Sequence, residues 1–410
     1  RSPRVDDTTK IVRVIDVDFF SKLCHYLAVN KPDHFRWYIK WKFLDVLIGH
    51  LGKTFQEADL NFRKELFGVQ KDPPRWRMCL HTLNIFVPDT VGELYNSKTQ
   101  KGAESEAADM LTKLRDSFSG IIKDSDWMSS QAQGTALKKL MDMKMEVGGP
   151  KKIPALPFKC DDDWFSVSIS IAKHLVEHQI EKIGTVIGRS DWGTQLGATS
   201  VNAFYNVHSN ALFVPSALLQ APFFKEGSSE GQSRVSNWGS LGGLLGHEMS
   251  HGFDNVGRLF GPDQVIRSWW DASTVKEYTQ RAQCIGDYYN GFVVEGKPIH
   301  GNSTLEEDIA DQAGLHIAYE AMRSQLKSGA ATDAVHGTEA SKRFFISWAQ
   351  TWCSLATHKE KQYVVMTDPH APSRVRVNAA MSSFPGFADT YRCPAGTAMN
   401  VHHGRGCSLW

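Results

Sequence analysis

Charge of one sign is what this chain of 410 residues most lacks: 46 lysines and arginines stand against 45 aspartates and glutamates. A net charge of +1 argues against nucleic acid or an anionic membrane surface as a bulk partner. No apolar run reaches the roughly eighteen residues that a membrane-spanning helix needs. The opening residues, Arg1-Ser2-Pro3-Arg4-Val5-Asp6-Asp7, do not read as a signal peptide. A leader or anchor that was removed, or that lies outside this chain, stays open. None of the seven cysteines (Cys24, Cys79, Cys160, Cys284, Cys353, Cys393 and Cys407) forms a C-x-x-C pair. A cysteine-based zinc site or a thioredoxin-type motif is therefore not expected. The odd count leaves at least one cysteine free or bonded outside the chain. Internal repeats and low-complexity segments are absent too.

What is present is the composition of a soluble globular protein, 41% hydrophobic and 22% charged. The length exceeds one ordinary core, so two lobes with a cleft between them are expected. Residues 14–68 read as helices, with Val17, Phe20, Leu23 and Leu27 at helical spacings. Pro73-Pro74 interrupts the pattern. Helices are expected over Arg75–Leu94, Glu104–Ile122 and Ser129–Met145, and Gly148-Gly149-Pro150 breaks the chain. A connector over Lys151–Phe165 leads to a helix from Phe165 to Ile187. Ser200–Val207 and Ala211–Pro215 read as short strands around a turn at Ser209-Asn210. Helices follow over Trp238–Phe253, Thr304–Lys327 and 341–357, and the tail from Asp368 reads as irregular.

The chemistry concentrates in His247-Glu248-Met249-Ser250-His251. On a helix, residues four apart share a face, so both imidazoles can aim at one ion. Glu248 projects beside them, within reach of a water on that ion. Catalytic zinc takes three protein ligands and keeps one position open. Glu307, on another expected helix, is the candidate third ligand. Asp311, four residues on, can accept the N–H of a liganding imidazole and fix its tautomer. Two histidines at helical spacing can also be ordinary surface or core residues, and Glu306, Glu307 and Asp308 alone would read as a solvated acidic face. The shared spacing of Glu307 and Asp311 favours the site. Zinc would act as Lewis acid and lower the pKa of its water, with Glu248 as general base. The sequon Asn302-Ser303-Thr304 leans toward secretion.

With these residues the chain resembles the neprilysin family of zinc endopeptidases, which includes the endothelin-converting enzymes. Val201-Asn202-Ala203-Phe204-Tyr205 resembles its substrate strand, His247–Asp254 its zinc helix, and Glu307-Asp308-Ile309-Ala310-Asp311 its second metal motif. His370 with Arg376 resembles its late substrate-contact pair, and Cys407-Ser408-Leu409-Trp410 its closing motif. Phe35-Arg36-Trp37-Tyr38, Phe62-Arg63-Lys64, Arg75–Cys79 and Asp126-Trp127-Met128 extend the likeness over the N-terminal part.

The resemblance implies an α+β, mostly helical fold. Residues 1–150 would form a partial helical lobe with the start of a connector, and 151–410 a thermolysin-like catalytic domain. It implies one zinc ion held by His247, His251 and Glu307, with Asp311 orienting His247 and His370 stabilising the oxyanion. Arg376 would hold a substrate carbonyl, and Asn202 and Ala203 would bond the peptide backbone as it lies along the strand. Phe223, Leu244 and Trp352, with Leu218 behind, would form an apolar pocket, deepened by Gly243. Cleavage before bulky hydrophobic residues of oligopeptides is expected. Cys284 would pair with Cys407, and Asn302 would carry the glycan of an extracellular protein, secreted or processed from an anchored precursor.

The resemblance implies a longer ectodomain, and Cys79, Cys353 and Cys393 match family cysteines whose partners would lie in a part absent from this chain. Cys24 and Cys160 have no counterpart; they pair with each other or stay free. Two readings stand: one product of a cleaved precursor held to a second polypeptide, or a short form with an opened cleft. The rival function is a non-catalytic binding scaffold derived from such a peptidase.

Overall fold

The computed structural model describes residues 16–99, 102–151, 163–183, 185, 188–190, 192, 197–227, 231–327, 338–401 and 407–410. Cys160 lies outside them. Among the described residues three helices come first: α1 (Val17–Val29), α2 (Pro32–Leu47) and α3 (Lys53–Phe67). Their ends follow from local chemistry. The Asp16 carboxylate accepts from the Phe19 amide at 2.8 Å, satisfying an orphan N–H of α1. Pro32 sits in the first turn of α2, where its missing N–H costs nothing. Gly68 ends α3 in the left-handed conformation, φ 72°.

The pattern expected as one helix over Arg75–Leu94 is two, α4 (Arg75–Phe86) and α5 (Pro88–Asn96). Pro88 has no N–H to continue the ladder, and Val87 before it leaves the helical region at φ −140°. Next come α6 (Gly102–Lys123) and α7 (Ser130–Met141). The helix expected to reach Met145 stops at Met141, because Lys144–Gly148 is strand β1. Helix α8 (Trp164–Glu181) precedes strands β2 (Phe204–Asn206) and β3 (Ala211–Pro215). β3 is central and wholly buried; β1 pairs with it parallel and β2 antiparallel. The long-range partner β3, not local periodicity, makes 144–148 a strand.

A short helix α9 (Gly231–Asn237) and a π turn (Trp238–Gly242) lead into α10 (Gly243–Ser250), which closes in a 3-10 turn, His251–Phe253. Helix α11 (Ala272–Tyr289) and the small hairpin β4 (Val293–Val294) with β5 (Lys297–Pro298) come before the long α12 (Gly301–Lys327). The chain ends in α13 (Thr338–Thr351), α14 (His358–Thr367), α15 (Ser373–Ser382) and α16 (Pro385–Tyr391). The tail is thus not irregular. Pro372 caps α15 and Pro385 opens α16, so these prolines start helices instead of breaking them. Val375, Ala379, Ala380 and Met381 are buried in the core.

The fold is α+β and mostly helical, as the sequence indicates. The chain divides into two compact units, Arg1–Arg75 with Ala155–Val186, and Trp76–Pro154 with Ile187–Trp410. In the first, α1 has no buried residue, and Phe19, Trp37, Trp41 and Phe43 are exposed. The second is built around α12, whose Ile309, Ala310, Leu315, Ile317 and Ala318 are almost fully buried. Cys284 on α11 is bonded to Cys407, tying the C-terminus to the core. Cys24, Cys79, Cys353 and Cys393 have no disulfide partner among the described residues. No described helix is long and apolar enough to cross a membrane.

Candidate active site

The site lies within the second unit, where α10 meets α12. Gly314 of α12 makes the approach possible: a Cβ there would stand 2.6 Å from the His247 amide nitrogen and the Gly243 carbonyl oxygen. Backbone packs directly on backbone, which only glycine allows. Glu307 and Asp311 lie within about two turns of Gly314 on the same helix.

Three atoms converge. His247 Nε2 is 3.1 Å from His251 Nε2 and 3.2 Å from Glu307 Oε2, and His251 Nε2 is 3.8 Å from that oxygen. Tetrahedral zinc, with bonds of about 2.0–2.1 Å, separates its ligand atoms by about 3.3 Å. The triangle therefore fits one zinc ion. The Glu307 oxygen is buried with no well-formed hydrogen bond, an orphan that a cation would satisfy.

The far sides of both rings are engaged. His247 Nδ1 faces Asp311 Oδ1 at 2.9 Å, and His251 Nδ1 faces Asp254 Oδ2 at 2.7 Å. A proton on each Nδ1 leaves both Nε2 lone pairs for a metal. Asp254 has no assigned role in the sequence reading. Its signal was available as an aspartate three residues after the second histidine. Its other oxygen accepts from the amides of Val256 (2.9 Å) and Gly257 (2.7 Å).

The electrostatics are those of a dense buried cluster. Burial pushes the His247 imidazole down, but the Asp311 and Glu307 carboxylates outweigh it and lift its pKa to about 9. Burial pushes Glu307 up, yet His247 and His370 hold it far below the usual carboxylate range. Glu248 is raised by burial, against the pull of His247 and His251. Asp308 is fully buried and pushed up by burial to about 9, with the Thr304 hydroxyl donating to it at 2.7 Å. The run Glu307-Asp308 is not a solvated acidic face.

The triangle opens on a cleft of about 430 Å³ lined by Asn202, Ala203, Leu244, Trp352, His370 and Arg376. Residues 202–407 match the model of peptidase family M13, and residues 2–150 match a second model of that family.

The chain belongs to peptidase family M13.

This M13 chain is 30% identical over 386 residues to the endothelin-converting enzyme homolog of Locusta migratoria, covering 91% of this chain and 52% of that protein. It is 28% identical over 410 residues to neprilysin of Oryctolagus cuniculus, covering 96% of this chain and 54% of that one. It spans about half the length of these curated relatives. Its fold resembles that of the zinc metalloprotease Zmp1 of Mycobacterium tuberculosis, with a TM-score of 0.86 at 24% identity over 96% of this chain and 60% of the other.

Several expected positions of the M13 site come together and others do not. His370 Nε2 lies 3.1 Å from Glu307 Oε2, and its Nδ1 faces Asp368 at 2.7 Å, a partner the sequence reading missed. Arg376 borders the cleft but gives Nε and Nη2 to Asp311, at 2.7 Å each. Among the described residues lining the cleft, Leu244 and Trp352 are present, whereas Leu218 is buried in the core and Phe223 packs against it. The room at Gly243 does not deepen a pocket. The Trp348 indole fills it, 2.5 Å from where a Cβ would sit. Asn302 is exposed in the first turn of α12. A larger cavity, of about 870 Å³, is lined by Gln312, His316 and Trp410 and contains none of His247, His251 and Glu307.

Proposed function

We propose that this chain carries the catalytic centre of a zinc-dependent endopeptidase that hydrolyses oligopeptides on the amino side of bulky hydrophobic residues. The triangle of His247, His251 and Glu307, with Glu248 beside it, is the observation that carries the reading. Zinc held there supplies Lewis acidity and a water of lowered pKa. Glu248, its proton affinity raised by burial, takes a proton from the attacking water and returns it to the leaving amine. His370, raised by the Glu307 carboxylate against burial, lines the cleft and donates toward the developing oxyanion. Arg376 has N–H groups beyond the two that Asp311 takes, and they serve a substrate carbonyl. Asn202 and Ala203 bond the peptide beside β2. Leu244 and Trp352 receive the apolar side chain after the scissile bond.

The test is hydrolysis of a quenched peptide with and without a chelator, alongside Glu248→Gln. Activity surviving both treatments ends the zinc-peptidase reading; a zinc-loaded wild type that hydrolyses no peptide favours a non-catalytic scaffold. Cleavage without preference for Phe or Leu after the scissile bond ends the specificity part alone.

An extracellular setting, with Asn302 glycosylated, is supported by the Cys284–Cys407 bond and the exposure of Asn302 and Ser303; Thr304, the third residue of the sequon, is buried. Exposed Phe19, Trp37, Trp41 and Phe43, with Cys79 and Cys353 lacking a disulfide partner among the described residues, favour a second polypeptide that covers the helical part. A larger disulfide-linked species on a non-reducing gel of native material is expected. A fully active monomer contradicts it.

A further inference from the structure

A lysine outside the cleft is built into the turn that follows the second histidine. Lys139 of α7 is fully buried. Its Nζ donates to the carbonyls of Gly252 and Gly257 at 2.7 Å and of Phe260 at 2.8 Å. Burial pushes the Lys139 amine down to about 7, against the pull of Asp254, and the three carbonyls take all three donors of its ammonium form; a neutral amine has only two and would leave one carbonyl unbonded. All three belong to the stretch 252–260, and Asp254 lies inside it. Gly257 is held from both sides, its N–H by Asp254 and its C=O by Lys139. Nothing larger than glycine fits there, since a Cβ would stand 1.9 Å from the His251 carbonyl oxygen. The Lys139 carbonyl in turn accepts from Asn210 Nδ2 at 2.9 Å, and Asn210 Oδ1 accepts from the Tyr205 hydroxyl at 2.9 Å. One side chain thus joins α7, the turn after His251 and, through its own backbone, the strand beside the cleft.

We propose that Lys139 is a positioning residue for the metal centre: its ammonium clamps the 252–260 turn so that Asp254 stays on His251 Nδ1 and His251 Nε2 stays free for the metal. The inference rests on the zinc reading above. A buried lysine with a merely structural role would change stability without changing metal affinity selectively.

The zinc dissociation constant, read by chelator competition, separates the two. It is measured for the wild type, Lys139→Met, Asp254→Asn, the double variant, and Leu114→Ala in the core face of α6. Lys139→Met is expected to weaken zinc about 10-fold, as loss of an outer partner of a ligand does. Asp254→Asn should do the same. The double variant should be no weaker than the worse single one, because both act through one bond. Leu114→Ala should lose stability and keep its affinity. Unchanged affinity in Lys139→Met, or additive losses in the double variant, overturns the inference while the zinc reading stands. A wild type that takes up no stoichiometric zinc overturns both. If Lys139→Met does not fold, hydrogen exchange of the Val256 and Gly257 amides in the zinc-bound wild type decides. Exchange as slow as in the Leu111–Leu114 stretch is expected, and exchange orders of magnitude faster overturns the clamp.

Discussion

Arg376 and Asp311 form a buried bidentate pair, Nε to Oδ2 and Nη2 to Oδ1, each at 2.7 Å. The same carboxylate faces His247 Nδ1 at 2.9 Å. Burial would raise Asp311, and the Arg376 and His247 charges outweigh it and hold it below the usual range. The guanidinium also stacks on Trp352, 3.8 Å from the ring centroid. A residue singled out for substrate binding is therefore also part of the scaffold beneath the proposed metal site.

Arg376→Met removes one side of that pair and leaves Asp311 buried. Breaking a buried pair from one side costs about 3–5 kcal/mol. Urea unfolding of the metal-free protein measures it. A loss below about 1 kcal/mol, the value for exposed pairs, would show that the Asp311 charge is compensated elsewhere.

Glu248→Gln keeps the size of the side chain and removes its basicity. Peptide hydrolysis should fall roughly a hundred- to ten-thousand-fold. Bound zinc, measured by metal analysis, should stay at one per chain. Lost zinc would make Glu248 a ligand instead of a base.

Zinc affinity should rise with pH up to about 9. In the metal-free protein the neighbouring carboxylates hold a proton on His247 until that pH. Zinc must displace this proton, so binding releases it below pH 9 and is favoured as pH rises. Chelator competition at pH 6, 7 and 8 should show tightening of up to about tenfold per unit. Affinity that does not change over this range would mean that the His247 proton is not the competitor.

Gly314→Ala places a methyl 2.6 Å from the His247 amide nitrogen. Helices α10 and α12 must separate, moving Glu307 away from both histidines. Overpacking of this kind costs about 1–3 kcal/mol. Zinc retention should drop along with the thermal midpoint. A destabilised variant with wild-type zinc affinity would show that the helices slide without opening the triangle.

Much of the site was legible in the chain because it is local. Four-residue spacing puts His247 and His251 on one face, and the same spacing links Glu307 to Asp311. The strand at Ala211–Pro215 was legible from its apolar run. Strand β1 was not, since Lys144–Gly148 extends only by pairing with β3. Helices α15 and α16 were hidden by prolines that turned out to start helices.

What the sequence by itself determined is the family and the identity of the metal-ligand candidates, because both are written in residue types at short spacings. The tertiary structure alone decided the rest. It joined Lys139 to the turn between Gly252 and Phe260. It filled the space at Gly243 with Trp348 and shared Arg376 between the cleft and Asp311. The physical reason is the same in each case. Burying a charge or filling a void is settled by groups far apart in the chain, and no local pattern records which of them will meet.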